Sequence, residues 1–151
     1  MTMTAALAIP NLLYLYADLF DAGRLEEAAH LFDRGCIAAG ERDIKGADAI
    51  ASFWQRVVHI YPCGTPRTRH LVTNPAITLS DDGQNATCSS QWTVLQQVEG
   101  TPLSIIGSGR YHDEFAQFGG DWHFTRRTYG TIDFWGDTKN HLKKHPLPET
   151  Q

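Results

Sequence analysis

The first half of the chain places its apolar residues at helical spacing and the second half at strand spacing. Leu12, Leu13, Tyr16, Leu19 and Phe20 recur every three or four positions and predict a helix. Its start is expected at Pro10, because proline fits the first helical turn, and its stop at Gly23. A second, short helix is predicted over 25–32, with Leu25, Ala28, Ala29 and Phe32 on one side. Residues 36–39 and 43–44 read as a small hairpin. A third helix begins near Gly46, carries Ile50, Phe53, Trp54, Val57 and Val58, and is ended by Pro62, Gly64 and Pro66.

From there the period changes to two. Strands are predicted over 69–79, 86–98, 103–115 and 122–132, separated by turns at Asp81-Asp82-Gly83, Glu99-Gly100-Thr101 and Gly119-Gly120-Asp121. Pro75 forces a bulge or an edge position in the first of these. Gly107 and Gly109 permit sharp curvature in the third. On the second strand, one face presents Ala86, Cys88, Ser90, Trp92, Val94 and Gln96. Helices followed by a bent meander make an α+β domain, with three N-terminal helices on a strongly curved mixed or antiparallel sheet that encloses a pocket. We expect one domain over 1–151, with 137–151 as a polar tail.

Composition narrows the function classes. With 151 residues, 42% hydrophobic and 20% charged, the chain has enough apolar material for one packed core. A formal net charge of −4 and scattered basic residues argue against a nucleic-acid partner. No apolar run approaches the about 20 residues needed to span a membrane. The N-terminus lacks a basic stretch followed by a long apolar run, so no secretory signal is expected. Cys36, Cys63 and Cys88 are an odd, widely spaced set, which fits free thiols in the cytoplasm.

Four stretches carry a resemblance: Tyr16-Ala-Asp-Leu-Phe-Asp21, Arg69-His-Leu-Val-Thr-Asn74, Asp121-Trp-His-Phe-Thr-Arg126-Arg127, and Asp133-Phe-Trp-Gly-Asp137 followed by His141-Leu142. In this order and spacing the chain resembles the SnoaL-like branch of the NTF2-like superfamily, which has a cone-shaped fold. It is similar there to scytalone dehydratase and to the β subunits of aromatic-ring-hydroxylating dioxygenases. The resemblance implies a carboxylate at the end of the first helix, Asp21, paired with a histidine at the start of the long sheet, His70. Such a carboxylate orients one imidazole nitrogen and leaves the other to exchange a proton. That chemistry suits a cofactor-free dehydratase or isomerase acting on a small apolar, aromatic or polyketide-like molecule.

The sequence also departs from the dehydratase pattern. Ser90 stands where that enzyme has a second pocket histidine. Its tyrosine pair is replaced by Phe20 and by the small residues 38–40. Tyr14, Tyr16 and Tyr111 are the tyrosines available to substitute. The expected site therefore has His70 and Asp21 as catalytic residues, with Asp18 as the alternative carboxylate. Asn74, Tyr16, Phe20, Trp54, Ser90, Trp92 and Tyr111 are the expected ligand contacts. Asn74 reaches the pocket face only if the bulge begins at Pro75.

The other polar features weigh less. Arg127 reads first as a buried salt-bridge partner. His141-Leu-Lys-Lys-His145 has metal-like spacing but lacks the glutamate of HExxH, and His112 and His123 lack a placed third ligand. No metal and no cofactor are expected. The alternative reading is a non-catalytic binding or structural subunit. Self-association into a dimer or trimer is expected under either reading, with Ile106 on the convex face opposite Ile105.

Overall fold

The structure is a computed structural model that describes residues 4–143. Its elements run α1 (Ala5–Asp21), α2 (Leu25–His30), β1 (Cys36–Ala39), β2 (Arg42–Lys45), α3 (Ala47–Val57), β3 (Thr68–Leu79), β4 (Asn85–Gln96), β5 (Ser104–Phe118) and β6 (Asp121–Trp135). The strands form one sheet in the order β2-β1-β6-β5-β4-β3. β3 to β6 pair antiparallel, and β1 pairs β6 in parallel. Three helices packed on this mixed sheet make the expected α+β architecture. No helix is long and apolar enough to cross a membrane among the described residues.

The helix start differs from expectation. α1 begins at Ala5, capped by backbone bonds from Leu7 and Ala8 to the Thr4 carbonyl, and Pro10 lies inside it. A proline there removes the donor for the Ala6 carbonyl. Ala6 is exposed, so water can take that bond and the helix tolerates the ring.

The concave face of the sheet carries the core. Ala86, Cys88, Ser90, Trp92, Val94 and Gln96 alternate inward along β4, as their spacing predicts. Trp92 sits opposite Gly109. A Cβ at Gly109 would lie 2.8 Å from the Trp92 ring and 2.5 Å from the Thr131 carbonyl, so the glycine makes room for the indole.

Two bulges re-aim side chains. The β3–β4 register shifts between Thr73 and Ala76, and Asn74 itself takes a positive φ of 53°. The inward set on β3 therefore runs Thr68, His70, Val72 and then Pro75. Asn74 is turned out to solvent, where its amide donates to Gln91 at 3.1 Å. The expectation that Asn74 shares the pocket face fails because the bulge begins one residue early. A second irregularity, between Val94 and Leu95, turns Ile106 inward to 3% exposure and leaves Ile105 58% exposed. The outward residue of this pair is Ile105, the reverse of the expectation.

The described part of the segment after β6, residues 136–143, packs against the body rather than trailing, and residues 144–151 of the expected polar tail lie outside the described residues. Thr138 and His141 are buried. Gly136 donates to the Ile106 carbonyl, His59 to the His141 carbonyl, and Lys143 to the Val57 carbonyl. Leu142 bridges to Val58, and Gln96 and Tyr61 both donate to the Asn140 carbonyl.

Candidate functional site

Asp21 is the last residue of α1, and the turn after it fixes where its carboxylate points. Gly23 has φ +75°, and a Cβ there would lie 1.9 Å from the Gly64 carbonyl. Only glycine lets the helix end sit so close to the loop that leads into β3. Thr68 and His70, two apart on that strand, then face Asp21 together. One Asp21 oxygen accepts from the Thr68 hydroxyl at 2.8 Å and lies 2.6 Å from His70 Nδ1. The other accepts the backbone N–H of His70 at 2.6 Å. The carboxylate thus grips ring and backbone of the same residue, which fixes the ring and assigns the Nδ1–H tautomer.

The His70 and Asp21 side chains are only 6% and 7% exposed. Burial pushes the Asp21 carboxyl up. The bonds from His70, its charge and the Thr68 hydroxyl outweigh that and hold the carboxyl below its ordinary value. Asp21 stays a carboxylate near neutral pH, and Asp18, the alternative partner, is exposed.

Aromatic rings surround the pair. Phe20, Tyr16 and His141 lie 5.2, 6.4 and 6.5 Å from the His70 ring, centroid to centroid. Trp54 packs edge-on against Phe20 at 5.3 Å and tilts against Tyr16 at 5.8 Å. Tyr16 leads deeper, to Tyr111 at 6.2 Å, which stacks on Trp92 and meets Tyr129, both at 5.9 Å. Burial pushes the Tyr16, Tyr111 and Tyr129 phenols well up, so all three stay protonated and can donate hydrogen bonds.

Beneath them lies a second ion pair. Arg127 holds Asp113 through two 2.8 Å bonds, and both side chains are 0% exposed. Its guanidinium lies 3.9 Å from the Tyr111 ring centre and 4.3 Å from that of Tyr16. Burial pushes the Asp113 carboxyl up, and Arg127 works against it. The expectation of a buried salt bridge for Arg127 holds.

The structure brings together His70, Asp21, Tyr16, Phe20, Trp54, Trp92 and Tyr111 in one continuous cluster. Ser90 is also buried, opposite Tyr111 in the β4–β5 register, and its hydroxyl has no hydrogen-bond partner among the described residues. Asn74 and Tyr14 are outside, both exposed. Tyr129 and His141 belong to the cluster and were not expected in it. Tyr129 had a signal, since it follows Arg127 at even spacing on one strand. His141 stood in one of the stretches that carry the resemblance, but nothing in the local pattern shows that 136–143 folds back onto the cluster.

The remaining candidates disperse. His112 bonds Ser89, and His123 packs on Phe118. No cluster of three metal-ligating side chains exists among the described residues. His145 lies outside them. Two open surface concavities of about 460 and 280 Å³ lie beside α2 and the start of α3, sharing His30, Ala47 and Asp48. Neither includes a residue of the cluster, whose interior is filled by the aromatic side chains.

Residues 1–128 match the model of the SnoaL-like domain. The chain belongs to the SnoaL-like family. No curated protein sequence matches it. Among solved structures, it is similar to a single-site variant of Rv3472, a protein of unknown function from Mycobacterium tuberculosis. Those two are 26% identical, with a TM-score of 0.69 covering 85% of this chain and 71% of that one. A candidate scytalone dehydratase from Novosphingobium aromaticivorans is 23% identical, with a TM-score of 0.61 over 80% of this chain and 79% of that one. The β subunit of a candidate aromatic-ring-hydroxylating dioxygenase from the same organism is 20% identical, with a TM-score of 0.67 over 85% and 89%. Likeness at these identities establishes the shared fold. The SnoaL-like match ends within β6, so the packed segment 136–143 lies beyond it.

Proposed function

We propose that this SnoaL-like protein binds a small aromatic or polyketide-like molecule in its cone and removes water from it, or isomerises it, without a cofactor. The observation that carries this reading is the double grip of Asp21 on His70. A buried carboxylate that fixes both the ring and the backbone of a histidine leaves Nε2 as the one nitrogen free to exchange a proton. Tyr16, Tyr111 and Tyr129 supply protonated phenols along the cone, suited to hold a ligand carbonyl and the enolate that forms from it.

For a β-hydroxy ketone the balance is simple. His70 Nε2 takes the proton from the carbon between the carbonyl and the hydroxyl-bearing carbon. The resulting enolate expels hydroxide from the neighbouring hydroxyl-bearing carbon, and His70 returns the same proton to it, so that it leaves as water. 3-Hydroxy-1-tetralone is a suitable probe, because loss of water followed by tautomerisation yields 1-naphthol. The packed interior means that binding requires side chains of the cluster to move. We expect the protein to convert this probe to 1-naphthol, with His70→Ala folded normally and at least about 100-fold slower. Equal turnover by His70→Ala would end the acid–base reading.

A second reading is supported by the outer surface. Leu103, Ile105 and Phe134 are exposed at the far end of β5 and β6, and large apolar side chains clustered outside suit contact with another subunit. Under that reading the chain is a non-catalytic binding or structural subunit, and it self-associates as a dimer or trimer. Binding of 1-naphthol without turnover of the tetralone would favour it. Three free cysteines fit a cytoplasmic setting under both readings.

A further inference from the structure

Among the described residues beyond the SnoaL-like match, His141 is the histidine that reaches the interior. It is nine-tenths buried, and its Nδ1 has no hydrogen-bond partner among the described residues. A buried imidazole nitrogen without a partner is costly unless something satisfies it. Its ring lies 6.5 Å from that of His70 and nearly edge-on to it. One ligand oxygen, hydrogen-bonded at about 2.8 Å to each ring, spans that separation.

The segment is also held in place. Backbone bonds tie it to Val57, His59 and Ile106, and the Gln96 and Tyr61 side chains fasten Asn140 next to the histidine. Five contacts from α3, the loop after it, β4 and β5 are more than a loose tail requires. They fix where His141 points.

We propose that His141 is a ligand-binding residue of this site, its Nδ1 holding the same ligand oxygen that exchanges a proton with His70. This rests on the small-molecule reading of the site. The chemical class it selects is a molecule with a hydroxyl or phenol at the edge of an apolar ring system. The charged and titratable groups around the ring are His70 on β3, Asp21 on α1 and His59 after α3. Burial pushes His141 down to about 4, with His70 and His59 adding to the effect and Asp21 opposing it. The ring is therefore neutral near pH 7, and a neutral imidazole both donates and accepts.

The test is the affinity of the protein for 1-naphthol, measured by fluorescence. His141→Phe keeps an apolar ring in place and removes both nitrogens. His141→Gln keeps a hydrogen-bonding group. We expect about tenfold weaker binding for His141→Phe, the loss of one good hydrogen bond, and no more than about threefold for His141→Gln. If the histidine only fills space, Phe serves at least as well as Gln, and that result overturns the inference. Wild-type binding that His70→Ala weakens and His141→Phe does not also overturns it, while leaving the site reading intact. No binding by the wild-type protein removes both. Should either variant unfold, ¹⁵N imidazole resonances of the wild type decide: a shift of His141 Nδ1 on adding 1-naphthol supports the inference, and an unmoved resonance in the bound protein overturns it.

Discussion

The cone holds two carboxylates with buried nitrogen partners, Asp21 with His70 and Asp113 with Arg127, and they are built to opposite ends. Arg127 and Asp113 are entirely buried, joined by two parallel bonds and covered by tyrosine faces. The guanidinium keeps its proton throughout the pH range in which proteins fold, so the cation of this pair has one charge state. Asp21 and His70 sit at the end of the helix layer, just short of full burial, and the partner there is an imidazole with a second ring nitrogen. Buried charge alone does not mark chemistry. The distinguishing feature is a partner whose ring carries a second nitrogen that can exchange a proton.

The largest expected effect comes from breaking the sealed pair. Asp113→Ala strands a buried guanidinium, and we expect a loss of about 3–5 kcal/mol in unfolding free energy by urea titration. Replacing both partners together, Asp113→Leu with Arg127→Met, should cost much less. A double change as harmful as the single one would show that the pair does more than neutralise itself.

Changing the other pair should act mainly through pH. The Asp21 carboxyl is held below its ordinary value of 3.8 in the folded state. Its contribution to stability is therefore present above that value and lost as pH falls below it toward the folded-state value. We expect the stability of the wild type to fall more steeply than that of Asp21→Asn in acid denaturation below about pH 4. Parallel curves would mean that the pair adds no pH-dependent stability. The smallest effect is expected at Asn74, which shares β3 with His70 but faces out. Asn74→Gly suits the positive φ and should change stability by less than about 1 kcal/mol, with 1-naphthol affinity unchanged. A large loss of affinity would move the ligand to the outer face.

Much of this arrangement is legible in the sequence, and the exceptions share a cause. Period-two alternation identifies the inward face of β4 residue by residue, because that strand runs without a break from Ala86 to Gln96. The same rule fails at Asn74 and Ile106, where a bulge inserts a residue and reverses the parity of the positions after it. Asp21 and His70 could be paired only through the family resemblance. Their contact depends on Gly23 meeting Gly64, a tertiary approach that no local pattern encodes. The place of His141 in the cluster was not legible for the same reason, since its burial depends on a polar segment returning to the end of α3.

The parallel pairing of β1 with β6 has a consequence for the order of assembly. β1 is made early, yet Cys36, Ile37 and Ala38 lie beside Arg126, Arg127 and Thr128, about ninety residues later in the chain. On a ribosome, the N-terminal helices and first hairpin emerge long before the strand that joins them to the meander. Their apolar faces must wait, open to chaperones or to other nascent chains, until β6 arrives. The deeper interior is then among the last parts of the molecule to form, and a chain stalled before residue 126 would lack Arg127, Tyr129 and His141.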